Sequence, residues 1–555
     1  MRLGPSAVTA SGVAIAVVLT VLTPRLLGSG GTVQAPPAAN QSVPAVADDK
    51  LARVTCGGCH AFPAPDILPR GRWRDEFVRM HFIREGRLPP IGPPEKVYPT
   101  VQLPPDMAAV LALYQAQAPE RLAAPESWPA PGGTPVGFER RTLSMTDMPP
   151  TPAVSSLSIE DVDGDGQLDL LGTDMRQGVV FFGVLKGGDT QVGQSRLSVP
   201  AGLAVLASIP YPSHATFADV DRDGTKDILV GDMGAFFPAD HKKGAVIWLK
   251  GMGKSTFSAV TWLDDWPRVA DVEAADFNDD GKNDLAVAAF GWRTTGQVAI
   301  LENKTTGGGP QTFETHTIDK RAGSIHVIPQ DLNGDAKMDL VVLLAQEHET
   351  VLAYINTGKG DFTFEQKVIY AAPHPNWGSS GIQLVDLDKD GDLDVLLTHG
   401  DTFDDGVVKP YHGIQWLENK GSYPFVEHSL AQMPGVHRAK AADMDGDGDL
   451  DIVACALLAS GSDVDESSLP ALVWLEQTKP GAFVRHTIEM GTPRHATLEV
   501  GDIDSDGDVD IVVGNFSIEK PIPAWVEVWE NQRSRSVKKL VRDTSRAPSV
   551  TRIRN

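Results

Sequence analysis

The sequence predicts a mainly β chain, a seven-bladed β-propeller preceded by a small all-α unit. Three observations carry that prediction. A nine-residue acidic motif recurs seven times at a near-constant interval, apolar strand-like runs flank its copies, and a Cys-x-x-Cys-His segment lies ahead of the first copy between two short helical patterns. A chain of 555 residues is too long for a single core, since domains run to about 100–200 residues. The repeats show how it divides.

The chain opens Met1-Arg2 and then runs uncharged from Ala7 to Thr23. That stretch is short for a bilayer span of ~20 residues but suits the apolar centre of an export signal. Residues 1–27 therefore serve as a cleaved signal peptide or as a retained signal anchor. The small-x-small site Val33-Gln34-Ala35 is followed by Pro36, and the sequence leaves the two open. Either way the chain is expected in the periplasm or outside the cell, with a membrane tether in the second case. Residues 28–47, rich in Gly, Ala, Pro, Ser and Gln, read as a disordered linker.

Cys56-Gly57-Gly58-Cys59-His60 begins the chemistry of the α unit, residues 48–125. The spacing lets two thiols add to haem vinyl groups while the adjacent His reaches the iron from the same turn, giving one covalent haem c. A zinc knuckle would need a second ligand pair close by, and none follows. The remaining cysteine, Cys455, sits in an apolar run, so a disulfide framework is not expected. A helical lead-in covers Leu51 to Thr55 and a closing helix Asp106 to Gln117. In the latter, Met107, Val110, Leu111 and Tyr114 share one face, and Pro119 stops it. From Cys59-His60-Ala61-Phe62-Pro63 through Leu68-Pro69, Trp73 and Met80, the segment resembles the cytochrome c-like segment of some bacterial FG-GAP/VCBS-repeat proteins. The resemblance implies Met80 as the second axial ligand, with His81 and Met107 as rivals. Pro119, Pro125, Pro129, Pro131 and Pro135 then make an extended, stiff connection.

Residues 135–532 hold the repeats, D-x-[DN]-x-D-G-x-x-D, with first residues 55 to 59 positions apart. Alternate residues of such a tight loop point inward. Oxygens at positions one, three, five and nine and a backbone carbonyl at seven can then surround Ca²⁺, with Gly at six making a left-handed turn. The expected ligands are Asp161, Asp163, Asp165 and Asp169; Asp219, Asp221, Asp223 and Asp227; Asp276, Asn278, Asp280 and Asp284; Asp331, Asn333, Asp335 and Asp339; Asp386, Asp388, Asp390 and Asp394; Asp443, Asp445, Asp447 and Asp451; Asp502, Asp504, Asp506 and Asp510, for up to seven ions. The fourth copy has Ala336 in place of the turn glycine, so its site is expected to be distorted.

Strand patterns such as Ile228-Leu229-Val230, Val246-Ile247-Trp248-Leu249 and Phe313-Glu314-Thr315-His316 give four strands per repeat, which is a propeller blade. The region resembles the FG-GAP/VCBS repeat family, related in architecture to the integrin α-subunit propeller. Phe138-Glu139-Arg140-Arg141-Thr142-Leu143 reads as a fourth strand ahead of the first loop, and the last repeat lacks one, so residues 136–144 are expected to close the ring. His316, His428 and His486 then sit at equivalent outer-strand positions and are structural. The tail, 533–555, is basic and reads as disordered.

A net charge of -24 argues against a nucleic-acid partner. On the face opposite the calcium loops, His214, His326, His437 and His495 precede their inner strands, together with Arg268, Trp377, Arg438 and Arg494, and His241, His348 and His399 follow second strands. These are the candidate catalytic or binding residues. Three functions are consistent with the sequence. One is electron transfer, with the propeller docking a redox partner protein or an extracellular substrate. Another is a glycan- or protein-binding adhesion module. The third is an enzyme, a lyase or haem-coupled dehydrogenase, with its site on the His-rich rim. No nucleophile elbow, phosphate loop or dinucleotide fingerprint occurs.

Overall fold

The computed structural model describes residues 49–533 apart from 88, 90–96, 146, 163, 165, 186–187, 193–194, 200–201, 254–255, 307–310, 460–463 and 519. The expected export segment, the linker and all but the first residue of the basic tail lie outside the described residues. Among these, no helix is long and apolar enough to cross a membrane.

Seven four-stranded antiparallel sheets form the propeller. The inner strands are Val154–Glu160, Pro212–Ala218, Val269–Ala275, Ser324–Gln330, Ser379–Val385, Val436–Ala442 and His495–Gly501, and each neighbours the next around the ring. Each inner strand leads through an acidic loop into a second strand, such as Asp227–Asp232, Asp339–Leu344 or Asp510–Asn515, buried at every residue. Covered on both faces by adjacent blades, these strands read as continuous apolar runs rather than as an alternation. The outer strands, such as Phe313–Asp319, are partly exposed, because one face is in water.

Ring closure follows the expected route. Phe138–Leu143 pairs antiparallel with Val526–Asn531, from Phe138↔Asn531 to Leu143↔Val526, and supplies the fourth strand of blade seven. The edge of Val526–Asn531 is therefore paired, and the last blade ends in a fourth strand as the other blades do. Blade one carries a feature not anticipated from sequence, a hairpin of Gly188–Val192 with Ser195–Val199 placed between its third and fourth strands.

Three helices precede the propeller among the described residues: α1 (Asp49–Cys56), α2 (Trp73–Arg84) and α3 (Pro105–Gln117). Proline at the start of α3 suits a first turn whose N–H groups have no intrahelical partner. Met107, Val110, Leu111 and Tyr114 of α3 pack with Ala52, Leu68, Trp73 and Phe77. Tyr114 donates to the Pro63 carbonyl at 2.6 Å and Trp73 Nε1 to that of Pro65 at 2.8 Å. This core includes Val407 and Tyr411 of blade five. The proline-rich connection is also fastened down, since Trp128 lies in the core of blades five and six and donates to the Gln432 carbonyl at 3.0 Å. Arg485 covers the Trp128 ring and pairs with Glu126 at 2.7 Å.

Candidate functional site

Each inner strand begins with a register shift, and the residue just after it faces its neighbours around the axis. Ser156, His214, Asp271, His326, Gly381, Arg438 and Thr497 are these equivalent residues. All stand five positions before the first aspartate of their loop. Beside them lies a cavity of about 260 Å³, lined among others by His214, His326, His437, Arg438, Glu349 and Asp401.

Within the ring, Asp271 is flanked by two histidines. Its Oδ2 accepts from His326 Nδ1 at 3.2 Å and from the Val327 backbone N–H at 3.2 Å. Its Oδ1 lies 2.6 Å from His214 Nδ1. Arg438 Nη1 donates to His326 Nε2 and, at 3.2 Å, to the Ser380 carbonyl. Burial and then the Arg438 guanidinium push His326 down to about 4, so this ring is neutral at physiological pH. Burial and Arg438 take His437 down to about 3. Burial opposes charge on Asp271 too, but His214 and His326 hold it well below the usual carboxylate range. Burial, reinforced by Asp271, pushes Glu273 up to about 8. Glu349 accepts from the backbone N–H of Ser379 at 2.8 Å, yet burial prevails and raises it to about 8.

Other expected rim residues stand apart from this cavity. His495 is buried between blades, where both ring nitrogens donate, Nδ1 to Asn515 at 2.7 Å and Nε2 to Glu489 at 2.6 Å. Arg268 is buried over Phe290, and burial lowers it to about 10. Arg494 pairs with Glu466 at 2.8 Å. His241 Nδ1 accepts from the Lys243 backbone, and His348 lies 3.8 Å from Glu347. Outer-strand His316, His428 and His486 each bind a third-strand glutamate, Glu302, Glu418 and Glu476, at 2.8, 2.9 and 2.6 Å. That repeated pair explains their equivalent positions.

Trp377 belongs to an aromatic pile next to the cavity. Its ring stacks on His399 with centroids 4.5 Å apart and on Tyr411 at 5.4 Å, and His374 packs against both Trp377 and Tyr411. Burial takes His399 to about 3 and His374 to about 4. Tyr411 donates to the Asn376 carbonyl at 3.1 Å and to that of Ile67 at 3.4 Å, which ties the pile to the helical unit. Tyr411 sits in the 400–412 link between the second and third strands of blade five, and Asp401 and Asp404 of that link line the cavity.

In the helical unit Cys56 ends α1, half-buried, and Cys59 is exposed. His60 Nδ1 donates to the Ala61 carbonyl at 2.8 Å, an arrangement that leaves Nε2 as the ring's electron-pair donor. Met80 is exposed, His81 is buried with Nδ1 lacking a hydrogen-bond partner, and Met107 is buried in the helical core. Leu51 and Val54, neighbours on one face of α1, are exposed with Met80.

The acidic loops share one construction. The position-one aspartate accepts the backbone N–H of position six in all seven, from Gly166 on Asp161 to Gly507 on Asp502. The position-nine aspartate accepts the N–H of position two in all seven, from Val162 on Asp169 to Ile503 on Asp510. Position six is left-handed throughout, and Ala336 complies with φ of 64°. Position four is left-handed too, even at Arg222, Asp279, Lys389 and Ser505, which the sequence reading missed. Carboxylate oxygens of Asp219, Asp221 and Asp227, and of Asp386, Asp388 and Asp394, lie within 4.8 Å of one another. Burial and neighbouring carboxylates push Asp284 up to about 6 and Asp510 up to about 7. Asp163 and Asp165 lie outside the described residues.

Sequence reasoning missed Asp271, Glu273, Glu349 and the 400–412 link. The constant offset of five residues would have found Asp271, and three would have found Glu273 one layer along the same strand.

The fold and its loops define a β-propeller built on an acidic-loop repeat, and comparison with a repeat-family model agrees. A sequence model of the FG-GAP-like repeat matches residues 161–230, 276–342 and 331–397, so the propeller carries FG-GAP-like repeats, consistent with a binding or adhesion type of module. No curated protein matches the chain. Among solved structures it is similar to the crystal structure of BBS1N in complex with ARL6DN soaked with lead, at 10% identity over 70% of this chain and 96% of that one, TM-score 0.40. The mercury-soaked form of that complex is similar at 11% identity, 70% and 96% coverage and TM-score 0.40.

Proposed function

We propose that the chain is an exported c-type haem protein in which a calcium-stabilised propeller docks a redox partner or substrate, so that electrons pass between it and the haem. The observation that carries this reading is the shared core of the helical unit and blade five. Val407 and Tyr411 pack with Leu68, Trp73 and Tyr114, and the link that supplies them also lines the cavity. A carrier held against a binding cavity suits electron passage better than one on a free tether.

The residues present fit both groups. Cys56 and Cys59 would hold the haem through thioethers and His60 Nε2 would ligate the iron, with Met80 as a further candidate to hold it and His81 and Met107 as rivals. The exposed Leu51, Val54 and Met80 are apolar surface that such a group would cover. Bound there, haem supplies one-electron chemistry. The chain's own part is to orient His60 through the Ala61 carbonyl and to hold the unit on blade five. Convergent carboxylates in the repeated loops have the all-oxygen chemistry that Ca²⁺ takes, and each position-nine oxygen keeps a lone pair beyond its N–H bond.

A second reading, a binding module for extracellular glycan or protein, is favoured by the polar character of the cavity, where Ser155, Ser213, Ser379 and Ser380 stand beside His214, His437 and Arg438. One experiment separates them. Protein made with haem c maturation is titrated in a spectroelectrochemical cell with and without candidate extracellular substrates. A haem spectrum that is lost in Cys56→Ala/Cys59→Ala, together with substrate-dependent reduction, supports electron transfer. Absence of covalent haem would leave the binding module.

A further inference from the structure

Among the described residues, one acid-histidine group borders the axial cavity through His214. Around Glu302, Lys304 and His316 already bind the carboxylate, and around His495 both ring nitrogens are hydrogen-bonded. In the inner-strand ring, His214 Nδ1 and Asp271 Oδ1 are buried and 2.6 Å apart, a close ion pair whose two atoms make no other hydrogen bond. Asp271 is only 2% exposed. Its other oxygen is committed to His326 Nδ1 and the Val327 N–H, which fixes the carboxylate plane and leaves Oδ1 turned to His214.

Glu273 completes the group. One ligand atom each from His214, Asp271 and Glu273 lies within 4.8 Å of the other two. Two carboxylates side by side in a buried site repel each other, and a cation between them removes that repulsion. Of the neighbouring cations, Arg438 is engaged with His326 and Ser380 and Lys440 with Glu499 at 2.9 Å, while His214 itself faces both carboxylates, so an ion bound there would take the place of the imidazole proton.

We propose that His214, Asp271 and Glu273 form a binding site for a first-row divalent cation of the Zn²⁺ class at the axis of the propeller, separate from the seven all-oxygen loops. One imidazole and two carboxylates are a mixed nitrogen and oxygen donor set, which selects such ions over Ca²⁺. His326 acts as the outer partner that orients Asp271, the role such groups play around metal-bound carboxylates. His214 lines the cavity, so the ion keeps an open position toward it, the mark of a metal site that meets a ligand rather than a closed structural one. The ligand's class would be an oxygen donor, a carboxylate or a polyol hydroxyl. The proposal does not depend on the haem.

The test uses the full exported chain in millimolar calcium, treated with a chelator selective for transition metals and then titrated with Zn²⁺ by calorimetry, with elemental analysis of the dialysed product. One Zn²⁺ per chain is expected, weakened at least tenfold by His214→Ala and by Glu273→Gln, while calcium-linked stability and the haem spectrum stay as in the unaltered chain. The milder Glu273→Gln guards against a folding defect. If the unaltered chain takes up no Zn²⁺, or if it and both variants bind equally, the proposal is overturned.

Discussion

Arg438 of blade six reaches across blade five to His326 of blade four, donating to its Nε2. The passage runs over Gly381, where a Cβ would lie 2.5 Å from Arg438 Nη1. Glycine at this one position of the inner ring therefore permits the contact. Gly381→Ala should push the guanidinium away. His326, held down to about 4 by burial and Arg438 together, should then titrate nearer its ordinary value. Imidazole nitrogen NMR of the two proteins reads this directly. An unchanged His326 titration would show that the guanidinium does not reach the ring.

Glu349 gives a pH dependence of definite sign. Burial raises its carboxyl to about 8, so the folded state holds the proton more tightly than the unfolded state does. The stability associated with the neutral form is complete below the ordinary glutamate range and is lost as pH rises toward about 8. Glu349→Gln removes the titration. Melting temperatures of the variant and the unaltered chain should diverge in the variant's favour between pH 5 and pH 9. Parallel curves would show that Glu349 is ionised throughout.

Much of the propeller was legible because its loop motif is long, local and repeated, and because a continuous apolar strand follows each copy. The closing strand was legible from Phe138 to Leu143 as a fourth strand without a blade. The hairpin of Gly188–Val192 and Ser195–Val199 was not, since the repeat interval records only total length. Blade one links its second and third strands through residues 175–178 alone, whereas blade five uses 400–412, and the saving hides the insertion. The cavity was half legible. His214, His326 and His437 could be placed on the correct face, but Asp271 and Glu273 read as ordinary strand carboxylates until register set them beside His214. Tyr411 gave no signal, because its partner Ile67 lies 344 residues away in sequence.

Closure can be tested at the pair that fastens it. Arg140 Nη2 lies 2.6 Å from Glu527 Oε1, and Glu527 is 2% exposed. Arg140→Met keeps the strand but leaves a buried carboxylate short of a charged partner, a loss of about 1–3 kcal/mol. Deleting residues 136–144 goes further and exposes the edge of Val526–Asn531. Chemical unfolding should show a smaller loss for Arg140→Met than for the deletion, and light scattering should show association for the deletion alone. A deletion that stays monomeric with unchanged stability would mean the ring closes without this strand.

The fourth loop offers the sharpest test of the calcium reading. Ala336 sits where the other six loops have glycine, with φ of 64°. A left-handed non-glycine residue costs about 1–2 kcal/mol, and glycine removes that cost while losing some through the greater freedom of the unfolded chain. Ala336 also donates its N–H to Asp331 Oδ2 at 2.9 Å, a bond that glycine retains. Ala336→Gly should therefore raise stability by up to about 1 kcal/mol in urea unfolding, with or without calcium. If the loop binds Ca²⁺, easing its turn should also tighten the weakest step of a calcium titration and leave the others unchanged. Asp331→Ala, which removes the carboxylate at position one and the backbone N–H bonds it accepts, should abolish that step and lower the melting temperature more in calcium than in chelator. Equal loss in chelator and in millimolar calcium would make the fourth loop a hydrogen-bonded turn with no ion.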